Sequence, residues 1–334
     1  MNIRTRPIML ASVVGLGMGL VCSCPAVAQT APDPQAIFTL QDESSSITTA
    51  NLSDRYYTNG IRVGYLSPED AFPFLAGLGH ALWGDGRQRL AVNISQQIYT
   101  PADTTSAVPP LSDRPYAGVL LATVSVVQDA ADSRSSLGLS VGMVGPAALG
   151  EDTQNGFHDL IGQAELKGWG SQLHNEAVFA FNSARVWRLP TGTVAGLETD
   201  ALPALSGTLG TLRVAVETGL TMRIGRGLDA DYGAPRTSAL GGGDGYRRAD
   251  AIGWYVFAGL GGQAVAHDVT LDGNTFTSSR SVKLDPLVGQ AQGGFAILAF
   301  GTRLTYTQVV QTQEFKHQRG GPHQMGALAL SVRF

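Results

Sequence analysis

His158 is the residue in this chain best placed to do chemistry. Gln154 lies one turn before it and Glu165 two turns after it, so on a helix the three form one polar row. An imidazole titrates near neutrality and accepts a proton from water without a thiolate or a metal cluster, which points to general-base catalysis. A hydrogen-bonded structural histidine is the simpler alternative. The other histidines, His80, His174, His267, His317 and His323, show no ligand spacing such as H-E-x-x-H, so zinc hydrolysis is not indicated.

Three further runs are unusually polar. They are Gln41-Asp42-Glu43, the stretch Ser53 to Gly60 that reads SDRYYTNG, and Ser112 to Gly118, which reads SDRPYAG. Carboxylates and carbonyls grouped without thiols or paired histidines suit a hard cation such as Ca²⁺. An adjacent Asp-Arg pair is also a common structural salt bridge, and Tyr56, Tyr57 and Tyr116 would equally serve as aromatic belt residues at a membrane interface.

The elements that must hold these groups are of two kinds. Phe157, Leu160, Ile161 and Ala164 recur at i, i+3, i+4 and i+7, which predicts a short amphipathic helix near 151–167. Asp152 or Thr153 would cap its start and Gly168 would end it. With the apolar stripe packed on a wall, the row of Gln154, His158 and Glu165 would lie against that wall or face a crevice.

Everything else alternates with the period of a β-strand. Leu212, Val214, Val216, Leu220, Met222 and Ile224 share one face, while Arg213, Glu217 and Arg223 share the other. The final residues, MGALALSVRF, place Leu328, Leu330, Val332 and Phe334 on one side and Ala327, Ala329, Ser331 and Arg333 on the other. Alternation alone does not separate a soluble sandwich from a membrane barrel. Repetition at the length of a tilted membrane strand, ~9–11 residues, favours the barrel. No mature segment is long and apolar enough for a membrane helix, and lipid then leaves a closed ladder as the route across. Strands are predicted near 36–42, 55–66, 89–99, 115–127, 136–146, 174–187, 196–207, 210–224, 252–266, 280–294, 297–311 and 322–334. The expected fold is an all-β, antiparallel transmembrane barrel of about 12 strands, with ten or fourteen as alternatives. The polar stretches 225–249 and 268–279 read as loops.

Composition fits this picture. Hydrophobic residues make up 43% of the chain, and 42 glycines accompany them, which suits short strands better than a helical enzyme. A net charge of −4 without basic patches gives no case for nucleic acid. Arg4 and Arg6, an apolar stretch from Ile8 to Val21, and Ala26-Val27-Ala28 predict a signal peptide over 1–28 and a single barrel domain over 29–334. Both cysteines, Cys22 and Cys24, would leave with the signal; lipidation at Cys24 is the alternative.

Several blocks occur in one order: DRYYTNG at 54–60, QxIYTP at 96–101, DRPYAG at 113–118, Gly145-Pro146 followed by Gln154-Asn155 and His158, and Gly168-Trp169 followed by Gln172-Leu173 and Asn175-Glu176. In these the chain resembles the outer-membrane lipid A 3-O-deacylase family, by motif from about Phe38 to Glu176 and beyond that by strand pattern and terminus. The resemblance implies a multi-pass protein of the bacterial outer membrane, expected as a monomer, whose substrate is the lipid A of lipopolysaccharide. It implies a divalent-cation-dependent ester hydrolase that removes the 3′-linked acyloxyacyl chain at a site between wall and helix. His158 would be the base, Gln154 would orient the site, Thr58 would be a polar ligand or donor, and Asp42 would hold Ca²⁺, with Asp54 and Glu165 in support. One departure stands out: the family's Asn before the acid is Gln41 here, one methylene longer. A family acid on the helix falls at Ala164 by direct spacing, and Glu165 has the better helical phase. The alternative is a non-catalytic relative or a small porin whose helix plugs the lumen; an adhesin would need a long loop, which only 225–249 approaches.

Overall fold

In the computed structural model, residues 31–47, 55–235, 242–248 and 252–334 are described; Asp54 and the leader expected over 1–28 fall outside them. The strands are β1 (Ile37–Ser44), β2 (Tyr56–Leu66), β3 (Arg87–Thr100), β4 (Ala117–Asp129), β5 (Ser133–Val144), β6 (Glu176–Trp187), β7 (Leu189–Val194), β8 (Leu197–Gly210), β9 (Arg213–Arg226), β10 (Gly253–Asp268), β11 (Leu287–Ala299), β12 (Thr302–Gln311) and β13 (His323–Arg333). The helices are α1 (Pro73–Trp83), α2 (Gly150–Leu160) and the single turn α3 (Val269–Asp272). Each strand pairs antiparallel with its neighbours, β1 closes on β13, and β6 pairs with β8, giving a ring of 12 strands.

The remaining strand, β7, lies outside the ring. Val186 of β6 faces Ala204 and Leu189 of β7 faces Ala201, so β7 continues the line of β6 past Arg188 in unchanged register. Every residue of β7 is exposed.

Alternation is realised with the apolar face outward. On β9, Val216, Leu220 and Met222 are exposed while Ala215, Glu217, Thr221 and Arg223 are buried. On β13, Leu328, Leu330 and Val332 point out and Ala327, Ala329 and Ser331 point in, with the terminal Phe334 exposed beyond them. A polar interior inside an apolar wall is the inverse of a soluble sandwich. It is stable where the surroundings are lipid, and closure leaves no strand edge unpaired there.

Both chain ends described here emerge at one end of the barrel, the terminal end; α2 and α3 belong to connections at the opposite, loop end. The interior is packed with ion pairs. Arg223 holds Asp200 at 2.6 Å and Asp231 at 2.5 Å, and Arg303 reaches Asp231 at 3.2 Å. From the terminal end residues 242–245, between β9 and β10, enter the lumen: Asp244 receives two bonds of 2.6 Å from Arg62. Arg134 donates to the carbonyls of Gly242 and Gly245, both at 2.7 Å. At the loop end Arg114 spans to Glu314 at 2.9 Å and to Thr270 at 3.0 Å, over the ring of Tyr99. Between these closures lies a polar cavity of about 380 Å³.

Three expectations are revised. The stretch 225–249 is not an outward loop of the kind an adhesin needs, because its described residues enter the barrel from the terminal end. The strand expected over 280–294 begins only at Leu287. Pro286 has no N–H for a ladder, and the residues before it are held by separate backbone bonds, Asp285 N to the Glu314 carbonyl and Lys316 N to the Lys283 carbonyl, around an isolated bridge of Leu284 to Phe315. The helix expected near 151–167 stops at Leu160, where Gly162, at φ 71°, adopts the left-handed conformation that turns the chain.

Candidate active site on the outer wall

The connection from β5 to β6 leaves the barrel rim and folds back over the outside of β3 and β4. Gly145-Pro146 starts a 3₁₀ turn ending at Ala148, and α2 follows from a left-handed Leu149. Close approach requires small residues: a Cβ on Gly150 would sit 2.9 Å from the Cα of Gly118 on β4 and 2.8 Å from the Trp169 ring. Gln96 of β3 donates to the Ala148 carbonyl at 2.7 Å. Gln96 and Ile98 alternate with Gln97 and Tyr99, which line the interior cavity, so α2 lies outside the barrel.

The helix is turned opposite to the expected way. Phe157 and Leu160 are 58% and 81% exposed, whereas Gln154 and His158 are buried. Where the medium is lipid, the apolar stripe belongs outside and the polar row is what needs a partner, so the row faces the wall. Glu165 does not join it, because the helix has ended and Glu165 is exposed.

His158 Nδ1 lies 2.9 Å from the carbonyl oxygen of Ala164. A carbonyl only accepts, so Nδ1 carries the proton in the neutral ring and the basic lone pair resides on Nε2. The position where the resemblance expects an acid thus orients the imidazole through its backbone. Asn155 fixes the same turn, its Oδ1 accepting from Leu166 N at 2.9 Å.

Gln154 is oriented as firmly. The indole Nε1 of Trp169 donates to its Oε1 at 3.1 Å. An indole N–H cannot accept, so the amide cannot be reversed, and Gln154 Nε2 is left buried with no partner among the described residues. Trp169 is itself held between Tyr116, at 4.9 Å between centroids, and Ile98.

The wall beside this helix carries the other expected residues. Thr58, at a register shift in β2, shares a hydrogen bond of 2.7 Å with Thr100 of β3, which shares the outward face of Gln96 and Ile98. Asp42 faces outward from β1 and accepts from Asn59 Nδ2 at 2.7 Å. Gln41 faces inward: its amide donates to Glu43 at 2.7 Å and accepts from Arg62 Nε at 3.1 Å. The structure therefore brings Gln154 and His158 together under α2, sets Thr58 and Asp42 on neighbouring strands of the outer wall, and keeps Gln41 and Glu165 away. Trp169, Thr100, Asn59 and the Ala164 carbonyl were not anticipated as site residues; Trp169 had a signal in its place beside Gly168 in an ordered block. The motif residue Arg114 serves the lumen closure, while its neighbour Tyr116 backs Trp169.

The family and the barrel fold, though not the site, are matched among known proteins. A family model described as outer membrane protein LpxR matches residues 14–334. The solved structure of LpxR from Salmonella typhimurium superposes with a TM-score of 0.75 at 19% identity, covering 89% of this chain and 100% of that one. The β domain of the Bordetella autotransporter BrkA reaches a TM-score of 0.39 at 10% identity over 91% of this chain and 99% of that one. No curated protein matches. On the family match, which spans nearly the whole chain, this protein belongs to the LpxR family of outer-membrane proteins.

Proposed function

We propose that the protein is an outer-membrane esterase that removes the 3′-linked acyloxyacyl chain of lipid A, with chemistry in the crevice between α2 and the outer wall. The observation that carries this reading is the pair formed by His158 and the Nε2 of Gln154, which has no partner among the described residues; the two are one helical turn apart and both buried. A buried N–H without an acceptor is costly unless function supplies one. An ester carbonyl is such an acceptor, and it gains charge as water attacks.

In this mechanism His158 Nε2 takes a proton from water as the water oxygen bonds to the ester carbonyl carbon. Gln154 Nε2 donates to the developing oxyanion. Collapse breaks the bond to the sugar oxygen, which recovers the proton from His158, releasing the fatty acid. The apolar residues Phe157, Leu160 and Ile161 face the acyl region, so substrate reaches the crevice sideways from the outer leaflet without passing through the lumen.

The donors on this surface are hard oxygens, from the Asp42 carboxylate and the Thr58 hydroxyl, and they suit Ca²⁺ in type. Among the described residues no group of three or more His, Cys, Asp or Glu converges, so carbonyls and water would complete the shell. A cation held by Asp42 would polarise the ester carbonyl. The porin alternative loses its plug, since α2 lies outside and the lumen is closed by its own ion pairs.

Mass spectrometry of lipid A from cells with and without the protein, with Ca²⁺ present, tests the proposal. Loss of one acyloxyacyl group that His158→Ala abolishes is the expected result. Unchanged lipid A together with steady conductance in planar bilayers would overturn it.

A further inference from the structure

The helix α1, at the terminal end, has no part in the site, and it packs on the outside of the same two strands that carry α2. Its Gly79 lies so close to the wall that a Cβ there would sit 2.5 Å from Gln128 Oε1 of β4 and 2.8 Å from Gln88 Nε2 of β3. Gln88 is in phase with the outward residues of β3, and Gln128 with the outward Val124 of β4. The helix is capped by no side chain, and its only titratable residue is His80.

At 100° per residue, Phe74, Leu78 and Leu82 form one stripe along α1, next to the wall-facing Leu75 and Gly79. They are 74%, 43% and 47% exposed, with Phe72 beside them. His80 lies on the side away from the stripe and pairs with Asp85 at 3.1 Å. In water this would be a contiguous apolar patch with nothing among the described residues to cover it. Between Gln88, under α1, and Gln96, under the α2 connection, the outward residues of β3 are Leu90, Val92 and Ile94. Eight residues of tilted strand rise roughly 20 Å, close to the apolar height of such barrels. The stripe of α1 is therefore continuous with the lipid-facing belt at its lower edge.

We propose that α1 is an interfacial anchor, lying in the headgroup and acyl boundary of the glycerophospholipid leaflet at the terminal end, with Phe74, Leu78 and Leu82 in the acyl region and His80 turned to water. It would fix the depth of the β3–β4 wall, and with it that of α2 at the opposite boundary. The inference does not depend on the proposed enzyme activity.

Spin labels test this in protein reconstituted into phosphatidylethanolamine and phosphatidylglycerol vesicles, with Cys22 and Cys24 replaced by Ser. Labels at Leu78→Cys and Leu82→Cys should relax several-fold more with oxygen than with a water-soluble nickel complex, as a label at Val92→Cys does. A label at His80→Cys should show the reverse. Nickel accessibility at 78 and 82 equal to that of the exposed loop residue Thr105→Cys would overturn the proposal. Should a cysteine variant fail to form the heat-modifiable barrel, Phe74→Trp gives a second reading: brominated lipid should quench its added fluorescence, and absence of quenching counts against the anchor.

Discussion

Gln41 and Asp42 are adjacent in β1 yet serve opposite faces of the wall: Gln41 is bonded inward to Glu43 and Arg62, and Asp42 outward to Asn59. The extra methylene of Gln41 relative to the Asn that the resemblance implies therefore lengthens an interior contact and does not reach the α2 crevice. If the proposed activity holds, Gln41→Asn should keep lipid A deacylation within a few-fold of the parent. Its cost should appear as stability, about 1–2 kcal/mol for a buried amide losing ideal reach to its partners. Asp42→Asn should instead lower the rate ~10²-fold or more while barrel stability changes little, as expected for a charge that acts on the transition state. Mass spectrometry for activity and heat-modifiable gel mobility for folding separate the two outcomes.

A second prediction concerns the lumen. The Arg223 guanidinium is fully buried and bridges Asp200 and Asp231, with Tyr255 donating to Asp231 at 2.9 Å. Arg223→Met would leave two buried carboxylates short of counter-charge. Removing one partner of such a cluster costs about 3–5 kcal/mol, so the unfolding midpoint should fall sharply by gel mobility while the lipid-facing surface is unaltered.

The barrel was legible in the sequence because lipid imposes one rule on every strand, apolar out, and the residues follow it. The β9 alternation and the final MGALALSVRF needed no tertiary information to be read. What escaped was set by the same rule acting on less regular parts. The stripe of Phe157, Leu160 and Ile161 was legible as a helix face, but its direction depends on the solvent, and a reading that buries apolar residues turns α2 the wrong way. Glu165 looked aligned only while the helix was taken past Gly162. No pattern announced α1, which has no capping side chain and two internal glycines. The Ala164 carbonyl is invisible to any reading of side chains.

Acid should loosen the inner closure. Burial opposes ionisation of Asp244, but the Arg62 guanidinium beside it and the hydrogen bonds it donates outweigh this, holding the carboxyl below its ordinary value of 3.8. A carboxyl with a depressed folded value contributes stability at higher pH and loses it as pH falls through that value. Channel openings in planar bilayers should therefore be rare at neutral pH and increase below about pH 3.8. Asp244→Asn should show openings at neutral pH with no acid step.

The orphaned N–H of Gln154 gives the sharpest test of the site. Gln154→Glu preserves size and still accepts from Trp169 Nε1, but replaces the amide N–H with an oxygen that repels an oxyanion. Loss of one such donor typically costs ~10²–10³ in rate, so kcat should fall by that order while heat-modifiable mobility stays at the parent value. Trp169→Phe is the complement. It keeps an aromatic ring against Tyr116 and Gly150 but removes the indole N–H that forbids the Gln154 amide to turn over. A smaller loss, about tenfold, is expected, because the correct orientation is still populated for part of the time. Full activity in Gln154→Glu would mean that the buried amide serves α2 packing alone, and the oxyanion would need another donor.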